Sequence, residues 1–184
     1  MTTNERAGLT LIAGSVAIVG VMVTHPTGRD AAGAGHGLST IVHAVAIIAE
    51  LALLLGLLGL TAHLRSQRDL AVAALVTYAA ATMSLIVAAI AAGWIEPPTA
   101  GTLNHSFATV GFGLAAIAII LWSIAMWFEQ FSRPLAVLGA VSGGVILFGL
   151  LHGPELAMHG FGGVVTLLLV IWMGWTGLAL RRRS

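Results

Sequence analysis

The stretch that decides the fold is GLSTIVHAVAIIAELALLLGLLGLTAHL, residues 37–64, in which Glu50 is the only carboxylate and no lysine or arginine occurs. The hydrocarbon core of a bilayer requires about 20 consecutive apolar residues from a crossing helix. Lipid offers no hydrogen bonds to the backbone, so a crossing segment satisfies its amides internally, as a helix does. Residues 37–64 are therefore predicted to form a transmembrane helix.

Five further stretches have the same apolar character, namely residues 7–24, 70–95, 105–131, 135–151 and 160–180. The whole chain is 58% hydrophobic and only 8% charged, whereas soluble domains carry about a quarter charged residues. A transmembrane β-barrel would need alternating segments of about ten residues, and none occur. The sequence predicts an all-α, polytopic membrane protein: one domain over residues 1–184, with six transmembrane helices built as three hairpins.

The arginines predict the orientation of these helices. If six spans alternate in direction, all but one of the arginines fall on the side of the two termini: Arg6, Arg65, Arg68, Arg133, Arg181, Arg182 and Arg183. The exception, Arg29, is followed by Asp30. Because cytoplasmic segments carry an excess of lysine and arginine, both termini are predicted to be cytoplasmic and the protein to be multi-pass in the plasma (inner) membrane.

The first span is predicted to remain in the mature protein. A signal peptide ends at a small-residue cleavage site, but residues 24–35 read THPTGRDAAGAG and place polar residues first. The five tryptophans fall toward predicted helix ends, where aromatic belts form: Trp94, Trp122, Trp127, Trp172 and Trp175.

Closely spaced glycines predict tight contacts between helices. Examples are Gly56 with Gly59 and Gly139 with Gly143. Small residues let helix backbones approach each other in a membrane. Packing within one bundle explains them, and a homo-oligomer stays open as a further use of such surfaces.

Composition limits the chemistry. The chain has no cysteine, which excludes thiolate metal sites and iron–sulfur clusters. A formal net charge of +1 gives no reason to expect a nucleic-acid partner. The lipid bilayer is the predicted partner.

One pattern recurs at the three connections on the side opposite the termini. A helix ends at a titratable residue followed by proline, as in His25-Pro26, Glu96-Pro97 and His152-Gly153-Pro154. The next helix begins at a histidine followed by a small residue. Residues at equal depth on neighbouring helices can converge on one cavity, so the sequence predicts a metal site drawn from His25, His36, Glu96, His105, His152 and His159. The ordinary alternative is a set of solvated helix ends.

Helix two carries a second polar feature, in which His36, His43 and Glu50 follow each other at intervals of seven residues. Seven residues are nearly two helical turns, so the three lie on one stripe. Ionisable groups deep in a membrane usually mark ion or proton paths, and we interpret His43 and Glu50 as an inward path. In the alternative interpretation Glu50 is bonded to a neighbour on helix three: Thr77, Tyr78, Thr82 or Ser84.

Imidazole and carboxylate ligands without thiolates suit Zn, Fe, Ni, Cu(II) or Mn. The sequence thus predicts a membrane protein that binds a transition-metal ion at its non-cytoplasmic face, as a metal or proton-coupled transporter. Three alternatives stay open. The histidines would be axial ligands in a haem-binding electron-transfer protein, zinc ligands beside Glu96 or Glu155 in an intramembrane hydrolase, or titrating groups in a pH sensor.

Overall fold

The computed structural model describes residues 1–24, 36–95, 99–152 and 162–183, with only the backbone described at positions 36, 37, 100 and 162. These residues form six helices and no strands. The helices are α1 (Thr3–Thr24), α2 (His36–His63), α3 (Arg68–Trp94), α4 (Thr99–Phe128), α5 (Arg133–His152) and α6 (Gly162–Arg181). All six are long and apolar enough to cross a membrane, which supports a multi-pass membrane protein.

Each predicted span lies largely on one of these helices, but several ends differ. The largest difference is at α4, which begins at Thr99 rather than at residue 105. The added residues TAGTLN are polar or small apart from Leu103, so hydropathy alone does not mark them as helical. His105 consequently lies in the second turn of α4 and not at its start. In contrast, α2 begins at His36 and α5 ends at His152, as predicted.

The C-terminus of α4 is at Phe128, because the chain turns sharply after this residue. Gln130 has a positive φ of 55°. The amide of Phe131 donates to the carbonyl of Met126 at 3.0 Å, and the amide of Gln130 donates to the carbonyl of Trp127 at 3.2 Å. This pair of bonds is a Schellman motif, which satisfies carbonyls at a helix C-terminus. The prediction that span four continues to residue 131 was wrong for that reason.

The order of the helices along the chain is also the order in which they pack. Each helix contacts the next one, α6 contacts α1, and α2 also contacts α6. The two termini meet the α2–α3 and α4–α5 connections at one end of the bundle. There Asn4 approaches His63 and the carbonyl of Arg183, and the ring of His63 packs edge-on against Phe131. We call this end the arginine end and the opposite one the histidine end.

Glycines lie where helices cross closely, as the sequence predicts. A Cβ added to Gly8 on α1 would lie 2.5 Å from the carbonyl oxygen of Gly177 on α6. One added to Gly143 on α5 would lie 2.7 Å from the carbonyl oxygen of Ala116 on α4. The backbones are too close at both places for any side chain. At these two positions, packing within one chain accounts for the glycine.

Two of the five tryptophans are not at the interface. Trp94, Trp127 and Trp175 are about half exposed, in agreement with an interfacial belt. Trp122 and Trp172 are fully buried inside the bundle. Their indole N–H groups explain why they tolerate the interior: Trp122 Nε1 donates to Thr61 Oγ1 at 3.1 Å, and Trp172 Nε1 donates to the carbonyl of Leu135 at 3.0 Å. The prediction that these two belong to the belt was wrong.

Candidate functional site

The predicted metal cluster falls largely on residues that the structure does not describe. His25, Glu96 and His159 lie outside the described residues, and His36 is described only by its backbone. Two of the six predicted ligands, His105 and His152, have described side chains, and both are exposed. Within the described ranges, no three or more histidines and carboxylates lie close enough together to hold a metal ion.

His152 has a defined orientation at the last residue of α5. Its Nδ1 lies 3.0 Å from the carbonyl oxygen of Phe148, and its ring stacks on the Phe148 ring with centroids 4.1 Å apart. A carbonyl oxygen only accepts hydrogen bonds, so Nδ1 carries the proton in this contact. Nε2 then keeps the lone pair with which a neutral imidazole binds metal ions.

His105 lies near the place where α4 is fixed to α3. The neighbouring residue Asn104 donates from Nδ2 to the carbonyl of Ala88 on α3 at 3.0 Å. On α4 itself, the hydroxyl of Thr109 donates to the carbonyl of His105. His105 therefore lies on a helix that is hydrogen-bonded to α3 at the adjacent residue. The sequence analysis missed Asn104 because an asparagine near a helix start is commonplace.

His43 is buried and belongs to a polar contact between α2 and α3. Its Nδ1 lies 2.7 Å from the carbonyl oxygen of Ser39. Beside it, Thr40 donates its hydroxyl to the carbonyl of Gly93 at 2.8 Å, and Ser39 donates to the carbonyl of Ala92 at 3.3 Å. Gly93 leaves room for the imidazole, since a Cβ there would lie 3.1 Å from the Cβ of His43. His43 thus lies inside the bundle and not in lipid.

Glu50 lies at the middle of α2 and is hydrogen-bonded across the helix interface. The hydroxyl of Tyr78 on α3 donates to Glu50 Oε2 at 3.0 Å. Tyr78 is buried, and its hydroxyl also lies 3.9 Å from the sulfur of Met173 on α6. Tyr78 was one of four neighbours named in the alternative interpretation, and the structure selects it. No ion pair of Glu50 is present among the described residues.

From Tyr78 an aromatic cluster continues toward the arginine end. The rings of Tyr78 and Trp122 have centroids 5.8 Å apart, and those of Trp122 and Trp172 have centroids 6.4 Å apart. The hydroxyl of Thr61, which accepts from Trp122, lies 3.5 Å from the carbonyl oxygen of Ala71. Polar atoms of Thr61 and Ala71 thus lie near the aromatic rings, in the half of the bundle nearer the arginine end.

Further hydroxyls line the interior without a hydrogen-bond partner among the described residues. They are Ser15 on α1, Thr82 on α3, Ser123 on α4, Ser142 on α5 and Thr176 on α6. Together with Glu50 on α2, they give every helix a buried or partly buried polar side chain. Buried polar groups ordinarily have a partner, which is often an ordered water. The sequence analysis missed them, since an isolated Ser or Thr in an apolar run carries no sign of the direction in which it points.

Side-chain hydrogen bonds and a cation–π contact join chain segments at the arginine end. Glu129 accepts from the amide of Ser66 at 2.9 Å and also from its hydroxyl. Arg183 donates to the carbonyl of Phe131 and lies over the Phe131 ring, with Cζ 4.6 Å from the centroid. These contacts bind the two internal connections and the C-terminus together.

Comparisons of this chain with protein-family models, with curated proteins and with solved structures find no match.

Proposed function

We propose that this protein is a membrane transporter that couples the movement of a transition-metal ion to the movement of protons, with Glu50 as the proton-binding group. The observation that carries the proposal is the position of Glu50. It lies at the middle of a membrane-spanning helix, and its described partner is the neutral hydroxyl of Tyr78 rather than a cation. Ionisable side chains at that depth are costly and usually serve ion or proton pathways.

The chemistry of the pair suits a group that gains and loses a proton. A phenol hydroxyl donates to an ionised carboxylate, as Tyr78 does to Glu50, and it accepts from a protonated one. Tyr78 therefore offers Glu50 a partner in both protonation states. The buried hydroxyl of Thr82 lies one turn further along the same face of α3. This stretch of α3 supplies a polar lining on the histidine-end side of the pair.

The histidine end supplies the proposed entry for the metal ion. His25, His36, Glu96, His105, His152 and His159 are the proposed ligands, because imidazole and carboxylate suit Zn, Fe, Ni, Cu(II) or Mn. The orientation of His152 supports the proposal, since its Nε2 is the nitrogen left for an ion. His43 lies between this end and Glu50, about 10 Å from the carboxylate along α2. We also infer from the arginines that the histidine end faces away from the cytoplasm.

Transport by purified protein in liposomes tests the proposal. A pH-sensitive dye inside the vesicles reports proton movement while Zn²⁺, Mn²⁺ or Ni²⁺ is added outside. We expect a metal-driven pH change that is absent from empty vesicles. Glu50→Gln should reduce it by about a hundredfold, which is typical for the loss of a proton-transferring group. Glu129→Gln, which changes a carboxylate at the arginine end, should leave it nearly unchanged.

The metal ligands are tested in the same vesicles. His105→Ala and His152→Ala should each raise the metal concentration needed for half-maximal flux by roughly tenfold or more, since even indirect partners of a metal contribute that much. His63→Ala, at the opposite end, is the control histidine. Lack of a wild-type signal above empty vesicles would reject metal transport. Equal flux in Glu50→Gln and wild-type protein would reject the role of Glu50.

A further inference from the structure

A cleft of about 210 Å³ opens between the beginning of α5 and the end of α6, at the arginine end of the bundle. Its lining combines two arginines with an indole and several apolar side chains: Phe131, Ser132, Leu135, Trp175, Leu178, Ala179, Arg182 and Arg183. The feature differs from the proposed transport path in both place and composition. It lies on the outer surface of the bundle, where Trp175 and Leu178 are about half exposed.

The charged side chains that line the cleft, among the residues that the structure describes, are those of Arg182 and Arg183. Glu129, which follows the last residue of α4, accepts hydrogen bonds from the amide and the hydroxyl of Ser66. Arg183 is held in place because it donates to the carbonyl of Phe131 and stacks on its ring. The N-terminus of α5 adds a partial positive charge on the opposite wall.

The remainder of the lining suits an acyl chain. Leu178 is about half exposed and Ala179 is partly exposed, so these two side chains offer an apolar surface beside the arginines, whereas Leu135 is buried. Trp175 is half exposed, so its ring is available to lie at the level of glycerol and ester groups. Basic clefts between transmembrane helices on the cytoplasmic side are typical places for anionic lipid head groups.

We propose that this cleft binds the phosphate of an anionic phospholipid, with Arg182 and Arg183 on the head group and Leu178 and Ala179 against an acyl chain. The two positively charged arginines favour a lipid head group with a net negative charge over a zwitterionic one, whose net charge is zero. The apolar wall supplies contacts that a free phosphate would lack. Binding at this place does not depend on whether the protein transports anything.

Native mass spectrometry of the detergent-purified full chain tests the proposal by counting bound lipids in an equal mixture of phosphatidylglycerol and phosphatidylcholine. We expect a preference for phosphatidylglycerol. The double variant Arg182→Gln, Arg183→Gln should lower phosphatidylglycerol binding by about tenfold or more. The single variant Arg182→Gln keeps the contacts of Arg183 with Phe131 and should give part of the same loss in a protein that folds normally.

The matched control removes two arginines from the same end of the bundle but from another connection, as Arg65→Gln with Arg68→Gln. It should leave phosphatidylglycerol binding nearly unchanged, and an equal loss in this variant would show a diffuse surface charge and overturn the proposal. Addition of inorganic phosphate or glycerol phosphate should not displace the lipid. Displacement by either at low concentration would show that the cleft is a site for a free phosphate, and that too would overturn it.

Discussion

The carboxyl of Glu50 and the hydroxyl of Tyr78 are the two groups on which the proposed transport depends. Each lies near the middle of a long, largely apolar helix, and each has the other as a hydrogen-bond partner at 3.0 Å. An unpaired polar group in a water-free interior costs far more than a paired one. Removal of either side chain therefore leaves the other as an unpaired polar group inside the bundle.

Tyr78→Phe should destabilise the protein, because it leaves the carboxyl of Glu50 without its described partner. We expect a loss of about 1–3 kcal/mol, the range found when a buried polar group loses its hydrogen bond. Adding Glu50→Gln in the same chain should recover part of that loss. Thermal unfolding of Tyr78→Phe, Glu50→Gln and the double variant in detergent measures both effects. If the effect of the double substitution equals the sum of the two single effects, Glu50 and Tyr78 are not coupled.

At this scale the sequence predicted the kinds of residue and not their partners. Periodicity placed His43 and Glu50 on one stripe, and Tyr78 was among four candidate neighbours. Which of the four is bonded depends on the rotation and register of α3 against α2, and one residue of helix turns a side chain by about 100°. The same limit explains Trp122 and Trp172, whose position along the chain suggested the interface although their direction is inward.

At the scale of elements, the glycines decide how closely the helices pack. Gly8 and Gly177 bring α1 and α6 into backbone contact, and this contact closes the ring of helices. Burial of apolar area drives little association inside a membrane, so close packing has to provide the attraction. A side chain at such a position costs stability by pushing two helices apart.

Gly8→Ala should therefore destabilise the bundle by about 1–3 kcal/mol, as is usual when a well-packed contact is overfilled. Gly20→Ala on the same helix is the control, since a Cβ there meets nothing within 4 Å. The control should be neutral or slightly stabilising, because alanine favours a helix by about 1 kcal/mol over glycine. Thermal unfolding compares the two variants. Equal effects would show that α1 and α6 are not in close contact.

The sequence predicted the number and approximate place of the helices because a long apolar run has few alternatives. It failed at ends that are set by local polar contacts. The N-terminal extension of α4 lies in a polar stretch where Asn104 bonds to α3, and its C-terminus is set by the positive φ of Gln130. Neither feature changes the hydropathy of the segment.

At the scale of the whole molecule, the charges are strongly unequal between the two ends. Both termini meet the α2–α3 and α4–α5 connections at one end, the side of every arginine except Arg29, and His36 and His152 mark the other end. The grouping of the predicted metal ligands depends on the connections at the histidine end, which lie largely outside the described residues. That cluster stays a prediction, since apolar periodicity does not determine how such connections fold.

Single cysteines test the orientation, because the natural chain has none. We expect Thr99→Cys, at the histidine end, to react with a membrane-impermeant maleimide added to intact cells. Gln67→Cys, at the arginine end, should react only after the membrane is opened, as the positive-inside rule requires. Labelling yields are read on the purified protein. The reverse pattern would place the arginines outside and contradict the inferred orientation.

The central claim is that Glu50 changes its protonation state when a metal ion enters the bundle. Infrared difference spectra of the reconstituted protein, recorded with and without Zn²⁺, follow the C=O stretch of a protonated carboxyl group directly. If Glu50 changes its protonation state, Zn²⁺ should change that band in the wild-type protein and in Glu129→Gln. The same change should be absent from Glu50→Gln. A band that does not respond to the metal, or one that persists in Glu50→Gln, would contradict the claim.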